Sequence, residues 1–103
     1  MKEWAALLGS ELVKWPDVRT KLSFGMVSYY RKKRIFAMLP KTRAITSEHS
    51  IIVKFHRENA ETKKARKQLR EHDARGWASF ELTAEEDLGA ALRWLELAYR
   101  MAK

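Results

Sequence analysis

Two β-rich runs on either side of a short basic stretch constrain the fold of this chain more than any other feature. Val27 to Tyr30 and Ile35 to Leu39 are rich in aromatic and β-branched residues, and only residues 31–34 separate them. Such an arrangement predicts a β-hairpin. Gly25, which lies just before the first run, predicts a bend or bulge where two strands meet. An antiparallel sheet is therefore the expected centre of the fold.

The segment before this hairpin predicts a helix. Its apolar residues recur at helical spacing and should share one face. Pro16 disfavours helical conformation at the residue before it, so the helix should end there. The apolar residues expected on that face are Trp4, Leu7, Leu8, Leu12 and Trp15.

The chain after the hairpin predicts two further strands and a helix. Ile51 to Phe55 and residues 77–82 have the composition of strands, and residues 40–50 have that of a loop. Residues 59–75 favour a helix, and Gly76 is suitably placed to end it.

A final helix has the clearest beginning of any element. Thr83 and Glu86 match a capping box, and Glu85 and Asp87 add negative charge at the positive end of the helix dipole. Apolar residues follow at helical spacing from Leu88 onward. The predicted order is α-β-β-β-(β)-α-β-α, an α+β domain spanning residues 1–103. We expect an antiparallel sheet of about four to five strands with helices packed on one face.

Charge is concentrated in the middle of the chain. Fourteen basic and five acidic residues give positions 31–75 a charge of +9, whereas the whole chain carries +8. Because a local excess says more about a partner than diffuse charge does, this segment predicts an anionic partner. The absence of cysteine excludes disulfides and thiolate sites, and no long apolar run predicts a membrane span. We expect a cytoplasmic protein.

Short stretches between residues 15 and 102 carry a family resemblance. They are Trp15-Pro16-Asp17-Val18, Phe24-Gly25-Met26, Tyr29-Tyr30, Ile35 to Leu39, Ile51 to Phe55, Gly76-Trp77 through Leu82, and Leu97 to Arg100. In these the chain resembles the MmcQ/YjbR family of small bacterial proteins, which usually has Pro where Val27 stands and Gly in the hairpin turn. The resemblance implies a CyaY-like, double-wing fold and, by fold-level analogy, DNA binding. Bacterial luciferase-like domains, with a similar Gly-Trp-x-x-Phe strand, are the competing assignment.

The basic residues themselves are the candidate DNA contacts. Cations at a hairpin tip can neutralise phosphates and give affinity without sequence readout. A solvated turn that prevents aggregation is the alternative interpretation. On the predicted helix, basic residues at helical spacing form a second candidate surface, with weak pairing to neighbouring Glu residues as its alternative. The candidate residues are Arg31, Lys32, Lys33, Arg34, Lys41, Arg43, Lys54, Arg57, Lys63, Lys67 and Arg70.

Two functions remain open from the sequence. The first is non-specific DNA binding through the basic hairpin and the basic helix. The second is a protein-interaction or small-ligand module whose pocket is lined by Trp77, Tyr29 and Trp94, with the basic surface serving solubility. Trp94 lies off the main apolar stripe of the last predicted helix. We therefore expect it either to be partly exposed in a monomer or to be buried in a weak homodimer.

An enzyme is the third and least favoured class. The three histidines, His49, His56 and His72, lack metal-ligand spacing, and the chain has no motif for a serine nucleophile or a phosphate-binding loop. We therefore expect no catalytic site, cofactor or metal.

Overall fold

A computed structural model of the chain describes residues 2–23, 25–40, 50–72 and 76–102. Within these ranges the chain forms three helices and six strands. Their bounds are α1 (Lys2–Leu12), β1 (Val18–Ser23), β2 (Met26–Arg31), β3 (Arg34–Pro40), β4 (Ser50–Lys54), α2 (Ala60–Arg66), β5 (Arg70–His72), β6 (Trp77–Glu81) and α3 (Asp87–Met101).

The strands form one antiparallel sheet in the order β1-β2-β3-β4-β6-β5. The predicted α+β class and the predicted order of elements are confirmed. The three-residue strand β5 is an addition, because it lies where the sequence predicts the second half of a helix.

The pairing register assigns the strand residues to two faces, since directly opposed residues lie on the same side of a sheet. Tyr29 is opposite Ala37, and Ala37, Val53 and Ala78 continue that row across the sheet. All four belong to the same hydrophobic core as residues of α1, α2 and α3, so this is the helix-covered face.

The opposite side is the second sheet face. It is defined by the row Lys21, Ser28, Met38, Ile52, Ser79 and Arg70 and by the opposed pairs Arg19–Tyr30 and Lys54–Trp77. Its small and apolar members, such as Ser28 and Ile52, do not belong to the helix-covered core.

A β-bulge in β3 builds the aromatic centre of the core. Tyr29 pairs with Ala37 and Tyr30 with Ile35, which leaves Phe36 as the extra residue. A bulge bends a strand and redirects its side chains. Phe36 is fully buried and contacts the rings of Trp15 and Tyr99 at centroid distances of 6.4 and 5.5 Å. Burying a side chain of this size contributes about 1.5–3 kcal/mol before chain entropy is subtracted.

The first helix follows its prediction at most positions. Leu8 and Leu12 are buried and Trp4 packs against the core, while the helix ends before Pro16. Leu7 is 58% exposed, so the expectation that it widens the buried face is wrong. The predicted bend at Gly25 is confirmed, since this residue has a φ of 78° in the turn that joins β1 to β2.

The helix predicted over residues 59–75 is shorter than expected. It begins with a capping box, in which Asn59 and Thr62 exchange hydrogen bonds at 2.8 and 2.9 Å, and it ends at Arg66. The expectation that Gly76 ends this helix is wrong. Gly76 has a φ of +84°, and a Cβ there would overlap the Phe55 carbonyl oxygen. Glycine is required there because this backbone carbonyl approaches so closely.

The start of α3 also differs from its prediction. Glu86 makes no cap hydrogen bond. The carboxylate of Asp87 instead accepts hydrogen bonds from the backbone N–H groups of Thr83 and Ala84 at 2.8 and 3.1 Å. These bonds favour the charged carboxylate, the Thr83 N–H most, and they lower the pKa of Asp87.

Candidate nucleic-acid interface

The basic turn, residues 31–34, closes the hairpin between β2 and β3. Arg31 and Arg34 are the last paired residues, and Lys32 and Lys33 form a two-residue connection. Lys32 has a φ of 58°, in the left-handed region, and its N–H donates to the Asp17 carbonyl oxygen at 3.0 Å. Two-residue hairpin turns commonly require such a conformation, and glycine or asparagine usually supplies it.

Arg31 differs from the other three cations because it is held against α3. Its Nη1 donates to the Tyr99 carbonyl oxygen at 3.1 Å, and its guanidinium carbon lies 4.2 Å from the Tyr99 ring centroid. A cation at the C-terminal end of a helix also interacts favourably with the helix dipole. The Tyr99 hydroxyl in turn donates to the Pro16 carbonyl oxygen at 2.8 Å. Arg31 therefore positions the basic turn and is committed to intramolecular contacts.

The remaining cations of the basic turn project into solvent. Lys32, Lys33 and Arg34 are exposed, and none of them forms an ion pair with any residue that the structure describes. A shallow depression of about 610 Å³ lies between the basic turn and Ala102. Their charge is consequently available to an external anion.

The end of β4 brings a further cation to the same end of the sheet. His56 Nε2 lies 2.6 Å from the Ile35 carbonyl oxygen. Because a carbonyl oxygen only accepts, this nitrogen carries a hydrogen and donates it. The bond holds His56 at the start of β3, and the exposed Arg57 follows directly at the same end of the sheet. Arg57 and the basic turn thus form one basic end of the sheet.

The cations of α2 lie on a helix that is joined to the C-terminal end of α3 by an ion pair. Arg66 pairs with Glu58 at 2.7 Å, whereas Glu61 pairs with Arg100 at 3.1 Å instead of with Lys64. The exposed cations of this region are Lys63, Lys64 and Lys67, which make no ion pair with the described residues.

Not all of the predicted contact residues lie at the basic end. Arg70 is in β5 and not on a helix, and its register opposite Ser79 puts it on the second sheet face. The predicted helical surface of Lys63, Lys67 and Arg70 does not form, because α2 ends before the last two. Lys41 and Arg43 lie outside the described residues.

The second sheet face carries both cations and aromatic rings, a combination that was not predicted from the sequence. Arg19 is opposite Tyr30 at one edge, and Lys54 is opposite Trp77 near the other. Lys54 Nζ lies 5.3 Å from the Trp77 ring centroid, a cation–π contact worth about 0.5–1 kcal/mol at an exposed site. The strand alternation in the sequence already contains this signal, because Arg19 and Lys21 lie two residues apart and so share a face.

The pocket that the sequence suggested, lined by Trp77, Tyr29 and Trp94, does not form. Tyr29 and Trp77 lie on opposite faces of the sheet. Trp94 packs against the core, and its Nε1 is buried with no hydrogen-bond partner among the described residues.

An apolar cleft of about 630 Å³ lies instead between α1 and the strands β1, β2 and β3. Tyr29 is in its wall, and burial raises the pKa of the Tyr29 hydroxyl. The other lining residues include Ala5, Gly9, Val13, Thr20 and Leu39.

The described residues contain no cluster of three or more potential metal ligands. Within the same ranges, no helix is long and apolar enough to cross a membrane. Comparison with protein-family models, with curated proteins and with solved structures finds no significant match for the chain. The fold and the charged surfaces define the chain as a small α+β domain, and the MmcQ/YjbR resemblance stays a prediction.

Proposed function

We propose that this protein is a cytoplasmic DNA-binding protein that contacts phosphates at the basic end of the sheet and does not read base sequence. The observation that carries the proposal is the basic turn, whose three outward cations have no described acidic partner. Contacts of this kind release counterions from DNA and give affinity that falls steeply with salt.

The backbone of the turn supports the same proposal. Lys32 occupies a left-handed conformation that glycine adopts at lower cost. A lysine at this position lowers the stability of the fold somewhat and places a positive charge at the hairpin tip. An observed backbone outlier of this kind is grounds for a functional hypothesis.

The test is fluorescence anisotropy of a labelled random duplex titrated with the protein across a salt series. Phosphate contacts from Lys32, Lys33, Arg34 and Arg57 predict a slope of about −3.6 in a plot of log affinity against log salt. Absence of binding at low salt would overturn the proposal.

A matched pair of charge reversals locates the site. Lys33→Glu with Arg34→Glu should abolish duplex binding, because the two acidic side chains would repel the phosphates. Both positions are exposed, so the fold should stay intact. Lys14→Glu with Arg93→Glu lowers the net charge by the same amount at exposed positions elsewhere, and should weaken binding far less. Equal losses in the two variants would show that net charge alone attracts the duplex.

The apolar cleft supports a second candidate function, the binding of a small apolar molecule. Val13 in its wall is 53% exposed, and Leu22, opposite the lining residue Val27, is 60% exposed. Anilinonaphthalene sulfonate, a dye that fluoresces in apolar sites, should bind the native protein. Val13→Lys should remove that signal without unfolding the chain, and an unchanged signal would contradict this candidate.

A further inference from the structure

We infer that the second sheet face binds single-stranded DNA by stacking bases on Tyr30 and Trp77, a step that rests on the DNA binding proposed above. Both rings are half-buried, so each keeps a surface that can contact a ligand. Stacking on aromatic side chains next to a positively charged groove is how proteins hold single strands without sequence preference.

The register places the two rings at a useful separation. Tyr30 is in β2 and Trp77 is in β6, with β3 and β4 between them. Neighbouring strands lie about 4.8 Å apart, so the rings are roughly 14 Å apart across the sheet. Ser28, Ile52 and Ser79 lie in the neighbouring row of the same face and are each at most 5% exposed, so they are closed to a ligand. A ligand would therefore contact the end of the face that carries the two rings, where Tyr30, Lys54 and Trp77 are partly exposed.

Cations flank both rings on this face. Arg19 and Lys21 lie on the edge strand beside Tyr30, and both are exposed. Lys54 lies over Trp77, and Arg70 is exposed on the neighbouring edge strand. These four cations make no ion pair with the described residues.

Acidic residues are scarce on the same face. Glu81, opposite Ser50, is the one carboxylate that the register places there among the described strand residues. Charge and ring surface together fit an anionic backbone that carries exposed bases. A duplex keeps its bases paired and stacked inside, so it cannot use the rings.

Pairing of two protein copies through β1 explains this face less well. In an antiparallel pair centred on Thr20, Arg19 of one copy would be opposite Lys21 of the other. Like charges directly opposite each other destabilise such a pair, and basic side chains on an edge strand are a common protection against it.

The experiment compares three fluorescent ligands of equal length on the native protein: oligothymidylate, a random duplex, and an abasic strand that keeps the phosphates but lacks the bases. Stacking on two rings, at about tenfold for each, predicts that oligothymidylate binds about a hundredfold more tightly than the abasic strand. Equal affinity for these two would overturn the inference even if both bind, whereas no binding of any ligand would instead refute the proposed function.

Variants then locate the contact. Trp77→Ala and Tyr30→Ala should each weaken oligothymidylate binding about tenfold and leave duplex binding unchanged. Trp77→Phe and Tyr30→Phe keep a ring and should restore most of the lost affinity. Parallel losses for the duplex and the single strand would overturn the inference. Because the abasic comparison needs no variant, it decides the matter even if an alanine variant fails to fold.

Discussion

Replacing Lys32 by glycine should stabilise the protein and weaken its binding to DNA at the same time. The φ of 58° at Lys32 costs an L-residue roughly 1–2 kcal/mol, and glycine adopts it freely. Glycine also makes the unfolded chain more flexible, which costs about 0.4–1 kcal/mol. The difference predicts a net gain of about 0.5–1 kcal/mol in the free energy of unfolding. The hydrogen bond from the Lys32 N–H to Asp17 remains available.

The loss of binding follows from one missing phosphate contact. Lys32→Gly should reduce the magnitude of the salt slope for duplex DNA by about 0.9. Urea unfolding measures the first effect, and anisotropy across a salt series measures the second. For a domain of this size, the gain in stability corresponds to a rise in Tm of about 4 °C.

Lys33→Gly is the matched control. It removes the same charge, but among the described residues only Asp17 and Lys32 are non-glycines with positive φ. No strain is relieved at Lys33, so this variant should lose about 0.4–1 kcal/mol of stability while its salt slope changes as much as that of Lys32→Gly. The conformational reasoning is refuted if Lys32→Gly is less stable than the native protein. If the salt slope of Lys32→Gly equals that of the native protein, Lys32 does not contact the DNA phosphates.

Three further substitutions test the framework around the site. Gly76→Ala should destabilise the fold by more than about 2 kcal/mol in urea unfolding, because the added Cβ meets the Phe55 backbone and φ is positive. Arg31→Met keeps the aliphatic stem but loses the bond to the Tyr99 carbonyl, and should cost about 2 kcal/mol; a loss below 0.5 kcal/mol would contradict the anchoring role. The lowered pKa of Asp87 means that its contribution is present above its usual value of 3.8 and is lost as pH falls through the folded-state pKa. Asp87→Asn should therefore flatten the decrease in Tm between pH 5 and pH 2, and an unchanged profile would count against those hydrogen bonds.

The elements that the sequence predicted well are those whose periodicity extends over the whole element. Successive side chains of β2 and β3 alternate between the two faces of the sheet, and the apolar residues of α3 recur at helical spacing. Both patterns arise because one face of each element is buried in the core, and both can be read from neighbouring residues. The class of fold and the order of elements follow from these patterns.

The errors fall where contacts between distant residues override local preference. Residues 70–72 favour a helix, but pairing of β5 with β6 gives them backbone hydrogen bonds in a sheet. The same holds for the site. A run of four cations is visible in the sequence, whereas the commitment of Arg31 to Tyr99 depends on a contact across 68 residues. Likewise, the second sheet face requires the strand order, since its two rings come from strands far apart in the chain.

The contacts of Tyr99 determine how the basic turn moves. Its carbonyl accepts from Arg31, its hydroxyl donates to Pro16, and its ring packs on Trp15 and Phe36. The turn therefore frays less readily than the end of an isolated hairpin, because opening it also requires Arg31 to leave the Tyr99 carbonyl and ring. Protection against hydrogen exchange at amides beside a hairpin end is usually low, but here it should be higher by about the free energy of the Arg31–Tyr99 contact.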